Sequence, residues 1–204
     1  EEYVRHVLGS KSIFAAVPTD SHTAHERRNL AASVAPIIRG AVGLNNRVIL
    51  RYDDSSDMLN FLASSTGERL SQIGPATPDH LIQTKRYPLW IRLPESKDPT
   101  DIGQVILHKT REYSDIYSEW YRKFTDNSYP MLDPYPRVIL IPGLGMWTTG
   151  KDSKSALIAG DIYHHTISVI AMSESVSQYT SLAANDAFEA EYWPMELYKL
   201  TLAP

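Results

Sequence analysis

Apolar positions along this chain follow two rhythms. A helical stripe runs from Asn29 to Val42 through Leu30, Val34, Ile37, Ile38 and Ala41, with Pro36 inside it predicting a kink or a late start. A second stripe spans Asp98 to Phe124 through Ile102, Val105, Ile106, Tyr113, Ile116, Tyr117, Trp120 and Phe124. A third spans Ser153 to Val176, with an inner face of Ala156, Leu157, Gly160, Tyr163, Ile167 and Ile170. Short apolar runs at 47–52, 70–73, 88–93 and 137–141 read instead as strands. A shorter helix with Met58, Leu59, Phe61 and Leu62 on its core face follows Asp53-Asp54-Ser55, any of which can cap it.

The punctuation between these segments agrees. Asp98-Pro99-Thr100-Asp101 is a capping acid, a proline at the first helical position and an acid in the first turn. Gly74 to Pro78 is a breaker cluster, and Asp79 to Thr84 reads as one helical turn. Residues 126–136, with Pro130, Pro134 and Pro136, form a loop. Residues 181–200 read as a final helical segment broken at Trp193-Pro194, an aromatic tail for core packing or for docking onto a neighbour. Strands alternating with helices predict an α/β fold in three layers, a mixed sheet flanked by helices. Residues 3–8 read as the last turns of a helix and 9–28 as a connector. The opening Glu1-Glu2 and the closing Ala203-Pro204 suggest a piece of a longer polypeptide.

Composition narrows the function classes. The chain has 204 residues, 43% hydrophobic and 22% charged, with a formal net charge of −4 and no cysteine. Disulfides, thiolate metal sites and cysteine nucleophiles are therefore excluded, and the charge argues against a nucleic-acid partner. No apolar run approaches the roughly 18 residues of a membrane span.

The densest candidate chemistry lies in two loops. Gly143-Leu144-Gly145 follows an apolar strand and could cradle a phosphate with its backbone N–H groups. The dinucleotide pattern fails at Thr148, however, and the phosphate-loop pattern through Gly150-Lys151 ends on Asp152, so a tight hairpin turn is favoured. Thr77-Pro78-Asp79-His80 with Thr84-Lys85-Arg86 is the second cluster. It reads either as an anion site or as a helix cap at Asp79 with Lys85 and Arg86 solvated. The ligand-binding candidates are thus His80, Lys85, Arg86, Gly143 and Gly145, expected to converge on one cleft. Adjacent His164 and His165 lack the i, i+4 spacing of a helical metal pair, and His22 and His25 lack further ligands at suitable spacing. His108 reads as a partly buried polar neighbour. No catalytic and no metal-ligating residue is assigned, and neither a Gly-x-Ser-x-Gly elbow nor a Tyr-x-x-x-Lys pair is present.

Longer stretches carry a resemblance: Ile37 to Val42, Tyr52-Asp53-Asp54, Leu70 to Gly74, Pro78 to Leu81, Thr84-Lys85-Arg86, Arg137 to Gly145 and Glu191 to Leu200. From about residue 30 onward the chain resembles the middle of bifunctional class II aldolase/short-chain dehydrogenase proteins, the rhamnulose-1-phosphate aldolase/alcohol dehydrogenase family. The resemblance implies a cytoplasmic protein that cleaves a phosphorylated sugar and oxidises or reduces the aldehyde with NAD. It makes residues 1–28 the end of a preceding zinc-bearing aldolase domain plus connector. Residues 29–204 become a class II aldolase/adducin-like middle domain leading to a dehydrogenase. The partners the resemblance implies are those flanking domains and, as a homo-oligomer, further copies of the chain, with zinc and NAD held outside this segment. Within the resemblance, the family's His-x-His-Pro signature falls on Gln72-Ile73-Gly74-Pro75 and its His-Gly on Pro142-Gly143, so all three imidazole positions are replaced. The implied role is a degenerate aldolase-like domain for docking or assembly, the alternative being a retained ligand-binding or catalytic aldolase domain.

Overall fold

A computed structural model of the chain describes residue 14, residues 22–96 and residues 98–202. The expected helix at 3–8, most of the 9–28 connector and the boundary at Pro204 lie outside the described residues. In chain order the elements are α1 (Ala24–Val42), β1 (Ile49–Asp53), α2 (Ser56–Ala63), α3 (Gly67–Ser71), α4 (Pro78–Thr84), β2 (Leu89–Trp90), α5 (Pro99–Phe124), β3 (Val138–Ile141), β4 (Gly145–Gly150), α6 (Ser153–Val176), α7 (Ala184–Glu191) and α8 (Pro194–Leu202).

The sheet has the order β1-β4-β3-β2. β1 with β4 and β3 with β4 run antiparallel, whereas β2 runs parallel to β3. It is a mixed sheet covered on both faces. Alternation along β3 and β4 sets the layers, because successive strand side chains point to opposite faces. Ile139, Ile141 and Trp147 pack with Ala31, Val34 and Ile38 of α1 and Ile102 and Ile106 of α5. Val138, Leu140 and Met146 pack with Met58, Phe61 and Leu62 of α2, Leu70 of α3 and Tyr163, Ile167 and Ile170 of α6. The predicted three-layer α/β architecture is the observed one.

Several local expectations change. Helix α1 begins at Ala24, where Thr23 and Glu26 form a reciprocal capping box, and it continues through Pro36. Leu70 to Ile73 is not a strand. Leu70 and Ser71 are the last two residues of the short helix α3, and Gln72 is its C-cap. The segment pairs with no strand among the described residues, and Leu70 reaches the core from a helix just as well. Leu157, expected on the inner face of α6, is 40% exposed, and Ala159 and Thr166 are buried there instead. His108 is exposed rather than partly buried.

Candidate functional site

The Gly143-Gly145 segment is a hairpin turn. Leu144 N donates to Ile141 O at 3.0 Å, with Pro142 and Gly143 at the two central positions. Gly143 has φ +76°, the value a type II turn requires at its third residue. Gly145 has φ +139°, and a Cβ there would lie 2.4 Å from the Asp53 carbonyl oxygen. The glycines thus serve the turn and a close strand approach. Asp152, which broke the phosphate-loop pattern, caps α6 by accepting from Ser155 N at 2.7 Å.

This turn borders a cavity of about 590 Å³. Its other walls come from the start of α1 (Glu26, Asn29), the loop after β2 (Glu95, Ser96) and Ile102 of α5. It lies beyond the carboxyl ends of the parallel strands β2 and β3, where open α/β sheets take ligands. Glu26 is committed to the capping box, its Oε2 accepting from Thr23 N at 2.8 Å. Asn29 Nδ2 lies 3.1 Å from His25 Nε2.

His80, Lys85 and Arg86 do not line that cavity. The five candidate residues therefore fall into separate places. Asp79 does not cap α4. Thr77 does so, accepting from His80 N, while Asp79 binds Lys199 Nζ at 2.6 Å. His80 Nδ1 lies 3.2 Å from Thr166 Oγ1, and its ring meets that of His165 edge-on at 5.4 Å. Burial, with the neighbouring His165 charge second, pulls the His80 imidazole below its ordinary pKa.

Lys85 is not solvated. Its side chain is 5% exposed, and Nζ lies 3.1 Å from Oε1 of Glu191, itself 1% exposed. Tyr117 Oη donates to the same Oε1 at 2.6 Å and lies 2.9 Å from Tyr192 Oη. Lys85 Nζ also sits 4.0 Å from the centre of the Tyr117 ring. Burial lowers the Lys85 pKa while Glu191 works against that. Lys85 further holds φ +65° and ψ 173°, a region that is strained for any side chain. Arg86 is half-buried, with its guanidinium carbon 4.7 Å from the Tyr87 ring centre and 6.0 Å from that of Trp120.

Two functional-looking pairs were not found from the sequence. His164 Nε2 hydrogen-bonds Asp53 Oδ2 across 111 positions, and Lys85 meets Glu191 across 106. The first carried no local signal. The second carried one: at helical spacing Glu191 falls on the same face as Ala187 and Phe188, the buried face of α7, whereas Asp186 and Glu189 do not.

The tail helices divide their residues sharply. Glu191, Tyr192 and Glu196 are buried. Trp193, Met195 and Tyr198 are 55%, 54% and 55% exposed. Among the described residues no helix is long and apolar enough to cross a membrane, and no group of three or more His, Asp or Glu side chains is placed to hold a metal.

Residues 29–200 match the family model described as "Aldolase class II, second domain". A Bacillus subtilis (strain 168) protein described as "Uncharacterized oxidoreductase YuxG" is 37% identical over 205 residues. That similarity takes in all of this chain, which spans 30% of the relative's length.

Proposed function

Because the chain belongs to the class II aldolase second-domain family, we propose that it is a degenerate aldolase-like domain that docks or assembles the catalytic domains of a longer protein. That protein would pair a sugar-phosphate aldolase with an NAD-dependent dehydrogenase. An oxidoreductase name on a longer relative accords with such a fusion.

The observation that carries the reading is the divided tail. The buried Lys85–Glu191 pair fixes the end of α7 to the turn after α4, so the segment that follows is held in place. Trp193, Met195 and Tyr198 are then each about half exposed. Exposed apolar side chains of this size, close together along the chain, accord with a contact surface, and aromatic residues and Met are enriched in such surfaces. The occupant in this reading is an adjoining domain of the same chain.

The donor set argues against a zinc centre of the aldolase type here. Gln72 Nε2 donates to Ser71 Oγ at 3.1 Å and to the Pro88 carbonyl at 3.2 Å. Gly74 has no side chain to offer, and Pro142 has no donor nitrogen and is spent in the hairpin turn. Zinc sites need imidazole, thiolate or carboxylate ligands in a convergent set. No catalytic step through a metal is assigned to this domain, and zinc and NAD belong to the flanking domains.

The test replaces Trp193, Met195 and Tyr198 together by Ser in a chain carrying this domain with its neighbours. The expected result is faster proteolysis at the domain borders and a more extended molecule in solution scattering, with the 204-residue domain's own melting midpoint unchanged. Unchanged scattering and proteolysis would remove the docking role. Stoichiometric zinc retained by the 204-residue chain after loading and exhaustive dialysis would remove the degenerate reading.

A further inference from the structure

We propose that the pocket between α3, α4 and α5 binds a small organic carboxylate with a flat or apolar body, held by Arg86. This lies beyond the docking role and does not depend on it. The pocket holds about 110 Å³ and is walled by Gln72, Arg86, Tyr87, Tyr113, Tyr117 and Trp120, with Ile116 at its mouth. That is well below the roughly 300–1,000 Å³ of pockets for drug-sized molecules, so the occupant is a compact acid.

The charge balance selects an anion. Lys85, behind the Tyr117 ring, is neutralised by Glu191. In the adjoining part of the groove Lys109 pairs with Glu112 and Arg92 with Glu68. Arg86 has no carboxylate partner among the described residues, and its Nε is shut off from solvent without an acceptor. Its contacts are with the rings of Tyr87 and Trp120, and ring contacts consume none of the five N–H donors. With Nε enclosed, what remains for a ligand is the Nη1/Nη2 end of the planar guanidinium, which a carboxylate matches with two parallel bonds.

The walls select the body of the ligand. Tyr113 and Tyr117 are anchored elsewhere through their hydroxyls, to the Tyr87 carbonyl at 2.8 Å and to Glu191 at 2.6 Å. Trp120 Nε1 donates to the Ala184 carbonyl at 2.9 Å. These rings are pinned before any ligand arrives, and they offer flat apolar surface for stacking. A phosphate would surrender its hydration to aromatic walls and one cation, a poor exchange. A carboxylate on a planar body surrenders less and stacks. Gln72 spends both amide protons within the protein, which leaves Oε1 open to accept from a hydroxyl or N–H on the ligand. The strained backbone at Lys85 is consistent with this arrangement, since it sends Lys85 inward and Arg86 into the pocket.

The experiment titrates the protein with benzoate, benzamide and inorganic phosphate, following the Trp120 indole and Arg86 Nε–H resonances by NMR. Saturable benzoate binding is expected, with benzamide and phosphate each weaker by about tenfold or more. Arg86→Gln should weaken benzoate by about tenfold or more. Ile116→Trp, at a 56% exposed position, should block the mouth with the fold intact, and it supplies the readout if Arg86→Gln does not fold. Non-saturating shifts, equal binding of benzamide, phosphate binding as tightly as benzoate, or an Ile116→Trp protein that binds like the parent would each overturn the proposal.

Discussion

Lys85 Nζ and Glu191 Oε1 meet at 3.1 Å inside the protein, joining the turn after α4 to the last residue of α7. Both side chains are almost fully enclosed. A buried pair gains little over an apolar replacement, but removing one member strands a charge. Lys85→Met alone is therefore expected to lower stability by about 3–5 kcal/mol. Lys85→Met with Glu191→Leu should recover most of that loss. Urea unfolding of the parent, both single variants and the double variant checks the cycle. Additive losses would mean that the two groups do not act as a pair.

The hairpin makes a sharper test of what its glycines do. Gly145→Ala places a Cβ 2.4 Å from a backbone oxygen at φ +139° and is expected to cost about 3 kcal/mol or more. Gly143→Ala meets nothing within 4 Å at φ +76° and should cost only about 1–2 kcal/mol. At this chain size each kcal/mol moves the melting midpoint by roughly 2–4 °C, so calorimetry separates the two variants. Equal losses would contradict the close approach between Gly145 and Asp53.

Much of this was legible because it was local. Asp98-Pro99 announced α5, and α6 runs over Ser153–Val176 as its stripe indicated. The Pro-Gly-x-Gly turn carries its own geometry. Leu70 to Ile73 misled because four residues satisfy either period, and only tertiary contact decides between them. Lys85 misled for another reason. A lysine beside an arginine in a polar loop is ordinarily solvated, and its burial depends on an acid more than a hundred positions away. The split of His80 and Arg86 from Gly143 is of the same kind, since loop chemistry does not say which end of the sheet a loop faces.

His80 gives the fold a pH dependence of known sign. Its folded pKa lies below the ordinary 6.5 because of burial and the nearby His165. The stabilising contribution is thus complete above pH 6.5 and is lost as pH falls through the folded value. The facing groups are His165 and Thr166 on α6, Asp79 on its own helix and, through Asp79, Lys199 on α8. His80→Gln should flatten the fall in melting midpoint between pH 6.5 and 5. A variant that falls as steeply as the parent would assign the loss to another group.

Asp53 and His164 form a bond that ties the end of β1 directly to the middle of α6, beside the strand approach that Gly145 permits. Burial works to raise the Asp53 pKa. The bonds from His164 and from Ser55 N, the latter at 2.8 Å, outweigh it and hold the carboxyl below its ordinary range. The associated stability is present above the unfolded aspartate pKa of about 3.9 and is lost as pH falls through the lower folded value. Asp53→Asn should therefore cost about 1.5–3 kcal/mol at pH 7 and progressively less as pH falls below about 3.9. Asp53→Asn and His164→Asn together should cost clearly less than the sum of the two alone, since residues sharing one bond show interaction energies of about 0.5–3 kcal/mol. A pair that positions the sheet edge predicts this cycle in the ligand-free protein. The same Asp53→Asn penalty at pH 7 and at pH 3 would show that the ionised carboxylate contributes nothing to that tie.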